Sequence, residues 1–472
     1  MSTHDTAAVQ VPVFPAAAAA TPRPVSIPAL PPRPIPHPPV PKHPWMAANG
    51  RSNMHNDAYM SDGYPWPGPS GDGLEIGLGA LDGLCATLTF DRLGHIVTVC
   101  SAIRLGVTRE LLRLDPRTLE PDARYRLPSG GGGSSGFGGG GYIYLDNLDR
   151  PVVPTADQRV MIFEAHPPTF EAVASYDLSA AIGDPAASIQ SALPDWSGRI
   201  WWVTDVGIVG YVHPDSGEVR TYALPADERI GNSFAVDETG GVFIVSDHAQ
   251  YRFDVAPDGA IVATWREAYD RGTRMKPGQV NFGSGTTPTL IGPSWLGITD
   301  NADPRMHVLV YHREAAYPGD RLAAQVPVFP PGYSDTENSL IAAGESFIVE
   351  NNYGYTGTFT SPTGPVVPGM ARVAWPAYPG ETVWSTERVV VPSVVSKVSW
   401  ADGRVYTYTL REREGAQDWF VTAVDAHDGA VLWEVYAGSG LGFDNHYAGL
   451  FVGPDGSVYV PVWSGIVRLG PA

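Results

Sequence analysis

The chain is poor in several things, and each shortage narrows what it can be. Among 472 residues there are two cysteines, Cys85 and Cys100, too few for a disulfide framework. No run of about 18 apolar residues occurs, which leaves no transmembrane helix. Positive charge is scarce, with 31 Lys+Arg against 50 Asp+Glu and a formal net charge of −19. No basic stripe offers itself to nucleic acid, and the anionic field repels anionic membranes. The N-terminus has no charged stretch followed by an apolar one, so a secretory leader is not recognisable. These shortages predict a soluble, cytoplasmic protein, with leaderless or processed export as the alternative. Gly-x-Ser-x-Gly, HExxH and CxxC are also missing, which removes the commonest serine-hydrolase, zincin and thioredoxin readings.

Turn-formers and aromatics are abundant, with 53 Gly, 45 Pro, 13 Trp and 21 Tyr. That balance suits an all-β chain with many turns. Residues 232–265, NSFAVDETGGVFIVSDHAQYRFDVAPDGAIVATW, show the pattern most clearly. Short runs of alternating apolar and polar residues are separated by Asp/Gly/Pro turns too short for anything but antiparallel hairpins. Similar hairpins include LCATLTFDRLGHIVTVC, SALPDWSGRIWWVTD, VSKVSWADGRVYTYT and YAGLFVGPDGSVYVPVW. A four-strand unit recurring every ~40–60 residues predicts a β-propeller, and counting the units gives eight blades. The last unit stops after GIVRLG, and a strand within Leu74–Gly79 is expected to complete it.

Three segments follow from this reading. Residues 1–44, rich in Pro and Ala, are expected to be a disordered tail, with a PxxP ligand for a protein partner as the alternative. Residues 45–73 form an ordered, aromatic-rich lead-in holding His55, Asn56, Asp57, Tyr59, Asp62, Tyr64 and Trp66. The lead-in either plugs a surface or brings His55 and Asp57 to a site. Residues 74–472 form the eight-bladed propeller.

A second signature lies in the outer halves of the repeats: DPRTLEPDARY, HPPTFEAVASY, HPDSGEVRTY, APDGAIVATW and AVDAHDGAVLW. The last resembles the tryptophan-docking repeat of the PQQ-like, quinoprotein alcohol dehydrogenase-like eight-bladed propellers. The resemblance makes Trp433 and Trp265 docking tryptophans, with Tyr125, Tyr176 and Tyr222 as weaker versions. It implies a fold for about residues 85–472. It does not carry over the cofactor site, because the adjacent Cys-Cys pair of the quinone-dependent dehydrogenases is missing, and PQQ is not expected. Cys85 and Cys100 instead flank the DRLG turn on two arms of one hairpin. They are expected to face each other as buried thiols, with a redox or metal-binding pair as the alternative.

Long connections all fall between second and third strands or between units, at 129–141, 266–285, 315–337, 351–369 and 410–419. In an up-down meander both classes lie on one face, and long loops on a rigid scaffold are usually functional. The ends of second strands bring Asp205, Asp247, His248, Asp300, Glu350, Asn351 and Asn352 to that face. The starts of first strands bring Asn232, Thr287, Asn338, Lys397 and His446. Oxygen donors of this kind suit Ca²⁺ or Mg²⁺, with Asp205, Asp247, Asp300, Glu350 and Asn351 as the expected ligands. Asp or Asn at a strand end also commonly caps the next loop, which is the structural alternative for each of them. His446, His248 and Lys397 are the expected catalytic groups, and His446 or His248 would serve as general base. Asn232, Thr287, Asn338, Asn352, Arg274, His55 and Asp57 are the expected substrate contacts. The reading is a small-molecule enzyme of hydrolase, lyase or isomerase type. A non-catalytic binding scaffold and an atypical PQQ-type quinoprotein are the alternatives.

Overall fold

The structure, a computed structural model, describes residues 20–104, 106–130, 138–357, 366–375, 380–413 and 415–472. Residues 131–137 and 358–365, within two of the long loops, lie outside it, as do residues 1–19 of the Pro/Ala-rich tail.

Four-stranded antiparallel meanders dominate, and their burial explains their sequence. Inner strands are covered on both faces and read as unbroken apolar runs, as in Ile200–Thr204, IWWVT, where all five residues are buried. Outer strands have one solvated face and alternate: along Ile261–Ala268, Ile261 and Trp265 point inward. Four such meanders span 189–223, 235–268, 289–327 and 341–386. Two more, 88–126 and 144–177, join through one parallel contact between Arg124 and Thr169. The meander 397–439 gains the short inner strand Gly63–Tyr64. The last sheet holds 451–471 and is completed by Leu74–Ala80, which pairs along Gly465–Pro471 from Leu74↔Pro471 to Ala80↔Gly465. The expected completing strand is therefore in place, and Ala20–Val25 adds one strand outside it.

The inner ends of the meanders bond one to the next. Thr87 Oγ1 donates to Gly141 O, Gly139 N to Ile189 O, and Ser191 meets Ser233. Asn232 donates to Gly285 O, Thr289 to Leu340 O, and Asn338 to Val394 O. Val395 N donates to Ala448 O and Gly449 N to Ala86 O, which returns to the starting meander. This is a propeller-like, all-β arrangement around a central axis.

The outer aromatics pack across the gaps between sheets. Tyr125 lies 4.9 Å from Phe163, Tyr222 lies 5.2 Å from Phe253, and Tyr176 donates to Pro214 O. Arg321 covers the Trp265 ring, while Trp433 packs on Tyr406 of its own sheet.

Two features differ from expectation. The tail expected to be disordered is ordered from Thr21 onward and runs across the short-turn ends of the sheets. Ile27 and Ile35 are buried, Arg33 pairs with Asp425, and His37 stacks on Trp400 at 4.0 Å. Prolines lack amide donors but keep carbonyls and apolar rings, so such a strand can lie on a surface without unpaired N–H groups. Cys85 and Cys100, expected as thiols, form a disulfide. The hairpin register shifts beyond Leu88↔Thr98 to Leu84↔Ser101, which brings the two sulfurs together.

Candidate functional site

Residues 46–64 enter the axis and supply carbonyls to the inner strands around it. Phe90 N donates to Arg51 O, Leu145 N to Ser52 O, Val236 N to Ala58 O, Leu290 N to Tyr59 O, Ala342 N to Ser61 O and Val398 N to Asp62 O. Only a segment surrounded by those strands can accept from all of them. Its path bends at Asn56, Met60 and Asp62, each with φ between 54° and 78°, a left-handed region that Asn and Asp tolerate better than most residues. Tyr59 donates to Glu238 in a short turn, and Arg313 donates to the Tyr59 hydroxyl. The segment therefore closes the short-turn end of the axis, leaving the long loops at the other.

Its polar side chains build a buried cluster. His55 Nδ1 lies 3.0 Å from Asp62 Oδ1, Ser339 donates to Asp62 Oδ2, and the Lys397 ammonium contacts Asp62 while donating to Met54 O at 2.6 Å. Burial pushes the Asp62 carboxyl up, but Lys397 and His55 outweigh it and hold the group below the usual carboxylate range. Burial lowers His55 more than Asp62 raises it, so the imidazole is neutral. Burial likewise lowers Lys397, and Asp62 opposes that. An ionised Asp62 fixes the proton on Nδ1 of His55 and leaves Nε2 as a lone pair. That atom is buried without a hydrogen-bond partner among the described residues.

Other polar atoms at the starts of inner strands share this property. Glu337 Oε1, Asn338 Oδ1, Ser393 Oγ and Asn445 Oδ1 are also buried and unpartnered, and they come from the inner ends of three successive sheets. Each such atom left dry costs about 1–3 kcal/mol, so water or ligand belongs there. Tyr142 crosses above: its ring is 6.2 Å from His55 and its hydroxyl donates to Asn232 Oδ1 at 3.3 Å. Burial holds Glu337 well above the usual carboxylate range, in its neutral form. Burial raises Glu350 to about 7, against hydrogen bonds from Ser396 and Asn338.

Burial also raises Asp57 to about 7, although Ser61 and Tyr59 donate to it. A carboxyl raised on folding is protonated in the folded chain and ionised in the unfolded one between about pH 4 and 7. It stabilises fully below its unfolded value, and that stability is lost as pH rises towards 7. Burial depresses His37 and His446 to about 4, so these histidines oppose it, losing stability as pH falls below 6.5. Asp57→Asn should therefore make the slope of unfolding free energy against pH more positive by up to about 1.4 kcal/mol per unit over pH 4–7. Urea titrations of both proteins at several pH values measure it, and an unchanged slope refutes the shift.

The other expected residues are distributed as follows. Asn232, Thr287, Asn338, Lys397, His55 and Asp57 are buried at the axial ends of inner strands or in the axial segment. His446 is half-buried at the long-loop end, with Nδ1 3.1 Å from the Tyr355 hydroxyl and its ring 5.4 Å from Trp463. His248 is held elsewhere, with Asp247 and Arg271 at the loop rim. Arg274 is exposed. Asn352 is consumed by Thr336, Glu337 N and Val391 O.

The expected cation ligands do not converge. Asp205 caps Ser188 N, Asp247 caps Arg229 N, and Asp300 caps Ala302 and His307. Asn351 binds within its own loops, and Glu350 joins the axial cluster instead. Among the described residues no group of three or more His, Cys, Asp or Glu is placed to hold a metal ion. The donor set expected for Ca²⁺ or Mg²⁺ thus does not fit one ion.

Sequence reasoning passed over Asp62, Tyr142, Glu337 and Ser339 as site residues. Glu337 and Ser339 flank the expected Asn338, so their position next to a strand start was the available signal. For Asp62 no spacing pointed to His55.

No family model matches the chain. An uncharacterised protein of Archaeoglobus fulgidus is 27% identical over 309 residues, which cover 58% of this chain; the match spans only 59% of that protein's length. Among solved structures, the quinohemoprotein alcohol dehydrogenase ADHIIG of Pseudomonas putida HK5 superposes with a TM-score of 0.57 at 13% identity, over 89% of this chain and 80% of that one. Sqt1 of Chaetomium thermophilum gives 0.51 at 12% identity, over 84% and 96%. At these identities the likeness is one of fold. No helix among the described residues is long and apolar enough to cross a membrane.

Proposed function

We propose that this chain is an eight-bladed propeller of quinoprotein-like build that acts on a small molecule by acid–base chemistry at its axis. The observation that carries the reading is His55: Nδ1 is held by Asp62, while Nε2 is buried, neutral and unpartnered among the described residues. A histidine oriented through one nitrogen by a carboxylate and open at the other is built to take a proton. Asp62 then stabilises the imidazolium, and Lys397 keeps Asp62 ionised. Glu337, held neutral by burial, is the group that returns a proton. Asn338 Oδ1 and Asn445 Oδ1 only accept hydrogen bonds, so they favour a substrate that brings donors, such as hydroxyl or amine groups. Hydrolase, lyase or isomerase chemistry matches this set, and the reading routes no step through a cation or quinone. The Cys85–Cys100 disulfide favours an oxidising compartment over the cytoplasm.

The test is a panel of p-nitrophenyl acetate, δ-valerolactone and dihydroxyacetone, the last followed by proton exchange in D₂O. At least one is expected to turn over, with His55→Ala slowing it by about 10²–10⁴-fold and His248→Ala leaving it unchanged. No turnover by the wild type, or full turnover by His55→Ala, overturns the reading and leaves the binding scaffold.

A further inference from the structure

A second site lies away from the axis, at the seam where Leu74–Ala80 completes the last sheet. Strands Ile96–Arg104 and Gly106–Leu114 are nine residues each. The neighbouring sheet ends where Ala80 pairs with Gly465. The longer hairpin extends past it and leaves a recess beside the two strands, with Cys100, Ala102 and Leu112 almost fully buried at its base. The result is a groove of about 490 Å³, within the range of small-ligand clefts, about 300–1,000 Å³.

Register fixes what that recess displays. Cys100 pairs with Glu110 and Glu110 with Arg126; Leu112 pairs with Arg124. These residues line the groove together with Ala102. The floor is apolar, and the disulfide from Cys100 to Cys85 ties it to the inner end of the sheet. The wall is charged at both signs, with the carboxylates of Asp82, Glu110 and Glu120 beside the guanidinium groups of Arg124 and Arg126. Glu110 and Arg126 are direct cross-strand neighbours, the arrangement in which opposite charges normally pair. Yet the two make no ion pair within 4 Å, and neither they nor Arg124 have a side-chain ion-pair partner among the described residues. In a chain with net charge −19, two adjacent guanidinium groups without carboxylate partners are conspicuous.

We propose that this groove binds a short unblocked peptide of apolar side chains. Its terminal carboxylate sits on Arg124 and Arg126, its terminal ammonium on Glu110, and its apolar body on Cys100, Ala102 and Leu112. A guanidinium presents a planar fork that matches a carboxylate bidentately, and a ligand carrying both charges completes the separated pair. The proposal is independent of the axial chemistry.

Calorimetric titration of the full chain with Ala-Leu-Ala tests it, beside the C-terminal amide and the N-acetyl form of the same peptide. The free peptide is expected to bind, and each blocked form to bind at least tenfold more weakly. Arg126→Gln should weaken the free peptide about tenfold and abolish discrimination against the amide. Glu110→Gln should do the same towards the N-acetyl form. Both are surface changes, and an unaltered thermal melt confirms folding. Absence of binding at millimolar peptide, equal binding of blocked and free forms, or indifference to Arg126→Gln overturns the proposal.

Discussion

Replacing Lys397 by methionine should lower the unfolding free energy by about 3–5 kcal/mol. Methionine preserves the stem and removes the ammonium, and neither Lys397 nor Asp62 has any exposure through which water could compensate. Asp62 would keep His55 and Ser339 but lose its ammonium partner, and Met54 O would lose its donor. The carboxylate then relaxes by gaining a proton, on its own oxygen or on His55, whose pKa rises beside the uncompensated charge. Loss of stability should therefore be accompanied by an NMR titration of His55 moved upward. Asp62→Asn in the same chain removes the uncompensated charge and should recover most of the loss, since a buried pair removed together costs far less than either member alone. Urea unfolding of the two single variants and the double one gives the coupling. A loss below about 1 kcal/mol for Lys397→Met would mean that the ammonium is not what neutralises Asp62.

Removing the axial segment should have a larger effect still. A chain beginning at Trp66 lacks Met54, Tyr59, Met60 and Tyr64, all fully or nearly fully buried. At about 1.5–3 kcal/mol for each large apolar side chain, those four alone approach the net stability of an ordinary domain, about 5–15 kcal/mol. The same cut strands the inner amides of Phe90, Leu145, Val236, Leu290, Ala342 and Val398, which now donate to the segment. The shortened chain is expected to lose its cooperative melt. A synthetic peptide of residues 20–65, which also carries the Pro-rich strap removed by the cut, should restore it when added during refolding, and circular dichroism with thermal scanning measures both. A shortened chain that melts cooperatively at the original temperature would show the segment to be an accessory.

Much of the architecture was legible because it rests on local rules. Alternation in Ile261–Ala268 and unbroken apolar runs such as IWWVT distinguish outer from inner strands, and Asp/Gly turns mark the hairpins. The placement of Asn232, Asn338 and Lys397 at the axial ends of inner strands followed from the same meander logic. What was not legible depends on distant partners. Residues 46–64 have no hydrophobic period, because their backbone pairs one residue at a time with different strands and their polar side chains satisfy one another. His55 and Asp62 become a pair only when the segment bends back at left-handed residues. The strand-end acids Asp205, Asp247 and Asp300 looked like ligands because a loop-capping Asp and a cation-binding Asp are the same residue in the same place. Only their partners separate the two uses. The Pro-rich stretch read as disordered because proline composition reports the absence of regular hydrogen bonding, and this strap holds itself by Ile27, Ile35, Arg33 and His37 instead.

The pairing of Leu74–Ala80 with Gly465–Pro471 bears on how the molecule assembles. The strand that finishes the last sheet precedes almost every other strand in the chain, so the seam can form only after nearly all the intervening sequence has emerged. Until then the early strand has an open edge and the sheets have no completed circle. Contacts of such long sequence separation make folding slow, and open strand edges in the waiting intermediate invite association with other chains. Recovery of native protein should thus depend on chain concentration during refolding far more than its final stability suggests.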